Sequence, residues 1–347
     1  MKNKIIILLS LSIFLLLSCS DWTEMESLDM EQPSIAEQNP QLYETYIKGL
    51  KDFKNSDHKV TYVWFDNSEK APFSRAHHIV DLPDSIDYIS LMSPENLADW
   101  ELAEMDEIRK EKNTKVIFTM NFDEMKLNFD NMVADLMDQE YEEDEERPET
   151  PDFINFLVDS VTHTLSLVKK YNYDGISLAY KGKSIIHMTD KEKLVHKAYE
   201  KAFIGIAEDW KDRNQDKMIV YEGYPQNLLN KDILESCEHI ILPLTFADSK
   251  QVLNYEFISA KVDNIPLDRF VIAATTASLE QADQKTGYWM DGSRALQGTA
   301  EWASAPQSGV DIAGIAIYHV SNDYFNSDKT YKYSRNAINT INPSPKK

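Results

Sequence analysis

Two cysteines in 347 residues leave almost no room for disulfide bonding, and positive charge is scarce as well: 36 Lys and Arg stand against 58 Asp and Glu, a formal net charge of −22. So acidic a chain is a poor match for nucleic acid, whose phosphates need Lys and Arg. The acidity is compatible with a neutral ligand such as a sugar, and equally with a plain role in solubility. The apolar run 5–17 is too short for a comfortable membrane span. No Gly-rich phosphate loop, internal repeat or Ser-His-Asp arrangement can be recognised. His77-His78 is the only adjacent histidine pair, and no further ligands stand at metal-binding spacing, so exposed loop histidines are expected rather than a metal. Neither a metal nor a cofactor is therefore expected. What the chain does have is apolar material, 42% hydrophobic and 11% aromatic, enough for a sizeable core.

The N-terminus carries the most specific local signal. Lys2 and Lys4 precede the apolar run, and Leu16-Leu17-Ser18-Cys19 resembles a bacterial lipobox. That resemblance implies a signal peptide over residues 1–18, removed so that Cys19 becomes the lipidated first residue. Loss of Lys2 and Lys4 takes the net charge from −22 to about −24. The alternative is an ordinary secretory signal with a chance cysteine. Ser20-Asp21-Trp22-Thr23-Glu24 resembles the acidic export tag of Bacteroidetes surface lipoproteins, which implies an outer-membrane, cell-surface protein held to the membrane by its lipid. Residues 19–40 read as a flexible tether. Cys237, the other cysteine, is expected as a buried small hydrophobe.

From residue 41 to 347 the sequence reads as one domain in which short apolar runs alternate with helical patterns. Strands are expected over 59–65, 86–91, 115–120, 173–178, 218–222, 240–244, 270–275 and 312–318. Pro40 fits the first turn of a helix with Leu42, Tyr46, Leu50 and Phe53 on one face. Ser93-Pro94 looks like another helix start, Thr150-Pro151-Asp152 opens a third, and Thr189 with Glu192 forms a capping box. Helices are also expected near 250–260 and 329–341. Eight strands alternating with helices form the pattern of an α/β protein, a (β/α)8 TIM barrel. Near-continuous apolar strands fit a sheet buried on both faces. A doubly wound open sheet is the structural alternative, because 66–85 shows no convincing first helix. The acidic stretch 138–149 reads as a solvated loop rather than a calcium site.

The chain centres on residues 172–183, Asn-Tyr-Asp-Gly-Ile-Ser-Leu-Ala-Tyr-Lys-Gly-Lys. This stretch resembles the signature of glycoside hydrolase family 18, the chitinases and endo-β-N-acetylglucosaminidases, which carry Asp-Gly-x-Asp-x-Asp-x-Glu at the end of the fourth barrel strand. Asp174, Gly175 and Ile176 match. Ser177 and Ala179 stand where that family has Asp, and Lys181 stands where it has the catalytic Glu. The resemblance implies a substrate-assisted hydrolase in which the sugar's acetamide attacks, the middle Asp steadies it and the Glu protonates the leaving oxygen, outside the usual two-carboxylate scheme. Ala179 offers nothing to hold an acetamide, and an ammonium is a poor proton donor near neutral pH. The motif thus implies a degenerate hydrolase with no catalytic residue left.

What remains suits a sugar. Aromatic faces stack on pyranose rings while carboxylates and amides bind hydroxyls. The candidate ligand-binding residues are Trp64, Asp66, Asn121, Tyr180, Lys181, Tyr221, Glu222, Phe246, Trp289 and Tyr318, all at or after strand ends. Because inward and outward positions alternate, about half of the aromatics are expected to be core packing. The expected function is non-catalytic binding of N-acetylglucosamine-containing oligosaccharides, of the N-glycan or chitin type, beside glycosidases and a glycan importer. Two other readings stay open: a divergent hydrolase with a relocated acid, for which Asp66, Glu222 and Asp248 are candidates, and a scaffold that binds another protein.

Overall fold

A computed structural model describes residues 35–138 and 149–343. The lipobox and most of the tether, as well as most of the acidic stretch 138–149, lie outside the described residues. The chain divides into two compact units, residues 1–46 and 47–347. In the first, a helical turn Ile35–Gln38 falls inside the expected tether, and helix α1 (Pro40–Lys54) opens at Pro40 as the sequence predicts. Of the four apolar residues expected on one face of α1, only Leu50 is buried.

The second unit is a closed barrel of eight parallel strands in sequential order. They are β1 (Val60–Phe65), β2 (Tyr88–Leu91), β3 (Lys115–Asn121), β4 (Gly175–Tyr180), β5 (Met218–Gly223), β6 (Ile240–Leu242), β7 (Phe270–Thr275) and β8 (Gly314–Tyr318). β1 pairs with β8, which closes the barrel and excludes the open sheet. Each strand falls within two residues of its expected position because both of its faces are buried. Inward residues such as Tyr62, Trp64, Ile117, Val220, Ile241, Val271 and Ala316 fill the barrel, and outward ones pack under the helices.

As the sequence suggests, no α-helix joins β1 to β2; two 3₁₀ turns, Arg75–His77 and Ile79–Asp81, stand there instead. His77 and His78 sit half-buried on these turns rather than exposed, with His78 Nδ1 against Glu104. Elsewhere the helices depart from expectation. Helix α2 (Asp99–Lys112) starts five residues after Pro94. The Ser93 N–H is taken by Asn67 Oδ1 at 2.8 Å, and Glu101 reaches back to accept from the Ala98 N–H at 2.7 Å, which sets the later start. Helix α3 (Phe122–Asp138), directly after β3, was not read from the sequence, although Phe122, Met125 and Phe129 form its buried face.

Most of the rest follows the sequence closely. Helix α4 (Phe153–Lys170) is capped by Asp152. Helices α5 (Asp190–Glu200) and α6 (Ile206–Arg213) are joined by a π turn, Lys201–Gly205. Thr189 and Glu192 form the expected box at 2.8 and 3.3 Å. Helices α7 (Lys250–Ala260) and α9 (Lys332–Ile341) lie near their expected positions, and α8 (Ala295–Ala303), which was not read from the sequence, completes the ring. Cys237 is free and buried. Among the described residues no helix is long and apolar enough to cross a membrane.

Two residues of the motif are explained by the barrel alone. Asp174 lies just before β4. Its Oδ2 accepts from the Val116 N–H at 2.7 Å and from Arg109 Nε at 2.8 Å, fastening β3 and α2 to β4. Gly175 lets β5 come close, since a Cβ there would sit 2.2 Å from the Met218 carbonyl oxygen.

Candidate functional site

The register of β4 decides which side chains can meet a ligand. Ser177, Ala179 and Lys181 step by two along the strand and so share its inward side, at increasing height toward the mouth. Their opposite numbers are Thr119 and Asn121 on β3 and Val220 and Glu222 on β5. By the same alternation Tyr180 and Tyr221 face outward. Tyr180 packs against Phe122 and Phe203, and the Tyr221 hydroxyl donates to the Tyr180 carbonyl at 2.7 Å. Both are fully buried beneath the helices, so the expectation that they bind a ligand is corrected: they are core.

Inside the mouth stands a connected polar set. Glu222, 8% exposed, accepts from Ser177 Oγ at 3.1 Å and from the Tyr318 hydroxyl. Burial pushes its carboxyl above the usual range, opposed by those two hydrogen bonds and by the charge of Lys181. The Tyr318 ring lies parallel to Trp64, centroids 4.1 Å apart and planes 4° from parallel. Trp64 Nε1 donates to Thr119 Oγ1 at 2.9 Å, and Thr119 meets Ser90 Oγ at 3.2 Å. Six strands thus contribute to one chain of contacts running from Ser90 to Ser177. Thr119 and Ser90 were not foreseen; counting by twos from Ser177 across the register would have found them.

Lys181 stands above this set. Its ammonium pairs with Asp123 on α3 at 3.2 Å, and both side chains are more than half exposed. It makes no ion pair with Glu222 or Asp66. Asn227 Nδ2 donates to the Lys181 carbonyl at 2.9 Å and fixes the backbone there. Asn121 caps α3, its Oδ1 accepting from the N–H groups of Asp123 and Glu124 at 2.9 and 3.3 Å. Asp66 is an exposed loop residue whose Oδ1 accepts from the Ser68 N–H at 2.9 Å. Neither residue joins the Glu222 set.

Beside Tyr318 the mouth opens into a cleft of about 1260 Å³. Phe246, Trp289, Tyr288, Asp248 and Tyr318 line it, so three of the expected aromatics meet there. Its wall is the connection 278–292, which the structure holds firmly. The Met290 N–H donates to the Asp248 carbonyl at 3.0 Å, Trp289 N–H to Ser293 O at 2.8 Å, and Tyr288 bridges Arg294. Gly298 is required beneath this loop, since a Cβ there would lie 2.3 Å from the Trp289 ring. Chemically, the site presents a buried carboxyl, hydroxyls and aromatic faces, with a cation where the motif calls for an acid.

Comparison with known proteins agrees with this architecture. The chain resembles the structure of BT1044, a selenomethionine protein carrying a Glu-to-Gln change, at 18% identity and a TM-score of 0.59, over 90% of this chain and 96% of that one. It also resembles catalytic domain 2 of the Group II chitinase of Ostrinia furnacalis at 8% identity and a TM-score of 0.50, over 84% and 98%. These likenesses speak for the fold. Among curated protein sequences none matches the chain. The sequence profile described as glycoside hydrolase family 18, BT1044-like, matches residues 23–340. The chain belongs to glycoside hydrolase family 18, within its BT1044-like group.

Proposed function

We propose that the protein is a lipid-anchored glycan-binding protein of the bacterial surface. It holds N-acetylglucosamine-containing oligosaccharides without cleaving them, for neighbouring glycosidases and a glycan importer. The observation that carries this reading is Lys181. The position that would deliver a proton to the leaving oxygen holds an exposed ammonium paired with Asp123. Ala179, one step deeper, offers no group to steady an acetamide. The cleft beside Tyr318 supplies aromatic faces and polar groups in the proportion a sugar needs. Glu222 is the register partner of Ala179 and leans into that level of the barrel, where it can accept from an acetamide N–H. Calorimetry of the lipid-free domain against N-glycans and chitooligosaccharides, with product analysis after long incubation, tests the proposal. Binding without released product is expected; a new reducing end formed at enzymatic speed refutes it.

One observation favours a second reading. Glu222 is a buried inward carboxyl whose pKa burial pushes upward, the direction a general acid requires. As a divergent hydrolase the protein would lose activity in Glu222→Gln. Against this, both oxygens of Glu222 are already engaged by Ser177 and Tyr318, which suits a fixed orienting group better than a proton donor.

A further inference from the structure

A small cavity of about 160 Å³ lies next to the cleft, sharing Thr275, Ser278, Leu279, Gly287 and Tyr288 with its lining. Arg294 reaches into its wall. The Tyr288 and Tyr333 ring centroids lie 4.4 and 4.3 Å from the Arg294 Cζ. Among the described residues Arg294 has no ion pair and its side chain no hydrogen bond. Five N–H donors therefore stand unused on a half-buried guanidinium held between two rings. Ring contacts steady a guanidinium through its faces and leave the edges for a planar or tetrahedral oxyanion. The backbone is equally fixed: Tyr288 and Arg294 form a bridge across a tight turn, and the Ala295 N–H donates to the Gly287 carbonyl at 2.9 Å.

Asp323, the acid in this cavity, is already occupied. It accepts from the N–H groups of Ser334 and Tyr333, from Ser334 Oγ and from Asn326 Nδ2, at the N-terminus of α9. Its charge is met there, and Arg294 is left as the local cation in a chain of net charge −22. The cavity adjoins the cleft, so it can take a carboxylate or sulfate carried by a ring seated there.

We propose that Arg294, between Tyr288 and Tyr333, binds the carboxylate or sulfate of an acidic sugar whose ring lies in the adjoining cleft. The inference rests on the glycan-binding reading for the ring, but not for the anionic group. Ligand-observed NMR with N-acetylneuraminic acid, N-acetylglucosamine 6-sulfate and neutral N-acetylglucosamine tests it on the parent, Arg294→Gln and Arg294→Lys proteins. The acidic sugars are expected to lose about tenfold or more in affinity in the Gln variant, the usual cost of losing hydrogen bonds to a charged group. The Lys variant should fall between, and the neutral sugar should be unaffected. The two acids separate carboxylate from sulfate recognition. Equal binding of acidic sugars to parent and Gln variant, or no acidic sugar bound by the folded parent, overturns the inference. Acidic sugars bound with the neutral sugar ignored would leave it standing while undoing the N-acetylglucosamine reading. Should the Gln variant not fold, salt dependence of the parent decides: acidic-sugar affinity indifferent to salt overturns the inference.

Discussion

Ala179 of β4 and Glu222 of β5 are register partners facing the same level of the barrel, so the carboxyl that one strand lacks is supplied by its neighbour. A second acid placed at 179 would meet it at close range. Ala179→Asp is therefore expected to destabilise the protein by about 1–3 kcal/mol at neutral pH, through like charge and burial. The loss should shrink in acid as the pair takes up a proton, and denaturant melts at two pH values will show it.

Glu222 itself should make stability depend on pH. Burial raises its folded-state value, so between the ordinary glutamate range and that raised value the folded chain binds the extra proton. Its contribution to stability therefore falls as pH rises through this window and recovers on acidification. Glu222→Gln should remove that slope while keeping an acceptor for Tyr318. Glu222→Ala should instead cost about 1–3 kcal/mol by stranding the Ser177 and Tyr318 hydroxyls. Chemical denaturation across pH separates the two variants.

His239 works in the opposite sense at the other end of the barrel. Burial lowers it to about 4, while its Nδ1 shares a hydrogen bond of 2.8 Å with the Tyr62 hydroxyl. The unfolded chain then binds the proton first, and stability is lost as pH falls from about 6.5 to about 4. The shift corresponds to a loss on the order of 3 kcal/mol. Asp87 offsets part of the burial effect, whereas Arg269 and Lys115 add to it. His58, raised by its hydrogen bond to Asp87, has the reverse slope: its contribution is present in acid and lost as pH rises through its folded value. His239→Gln should flatten the acid limb of a stability–pH curve and leave the limb governed by His58.

Restoring the motif one residue at a time should not restore hydrolysis. Lys181→Glu removes an ion pair whose members are both more than half exposed, so stability should change by about 1 kcal/mol or less. With Ala179 still unable to hold an acetamide, no release from chitooligosaccharide is expected. The triple change Ser177→Asp, Ala179→Asp, Lys181→Glu must also displace Glu222 from its contact with Ser177, and is expected to bind more weakly than the parent in calorimetry.

Gly175→Ala should be severe. Its methyl would fall 2.2 Å from the Met218 carbonyl oxygen and force β4 from β5. Overpacking on this scale costs about 3 kcal/mol or more. A drop in melting temperature, or failure to recover soluble protein, is the expected readout.

The barrel was legible because strands buried on both faces are written as short apolar runs, and eight such runs survive as β1 to β8. The same continuity hid which way each side chain points. Tyr180 and Tyr221 looked like strand-end aromatics, yet they lie one step out of phase with Ser177, Ala179 and Lys181. Parity counted from the motif would have sent them to the core. Helix α3 is faint in the sequence because only Phe122, Met125 and Phe129 of its 17 residues are buried, and an acidic stretch follows it. The pairing of Lys181 with Asp123, and the isolation of Arg294, depend on how loops after different strands approach one another. No local pattern encodes that approach.

Asp174 and Lys181 sit at opposite ends of one strand, about 23 Å apart along its length. One end is bolted into the floor through Arg109 and the Val116 amide, and the other is more than half exposed at the mouth, paired with Asp123. Architecture and chemistry are thereby written into separate halves of a single eight-residue phrase. A lineage can rewrite the upper half without loosening the frame that keeps the cleft in place.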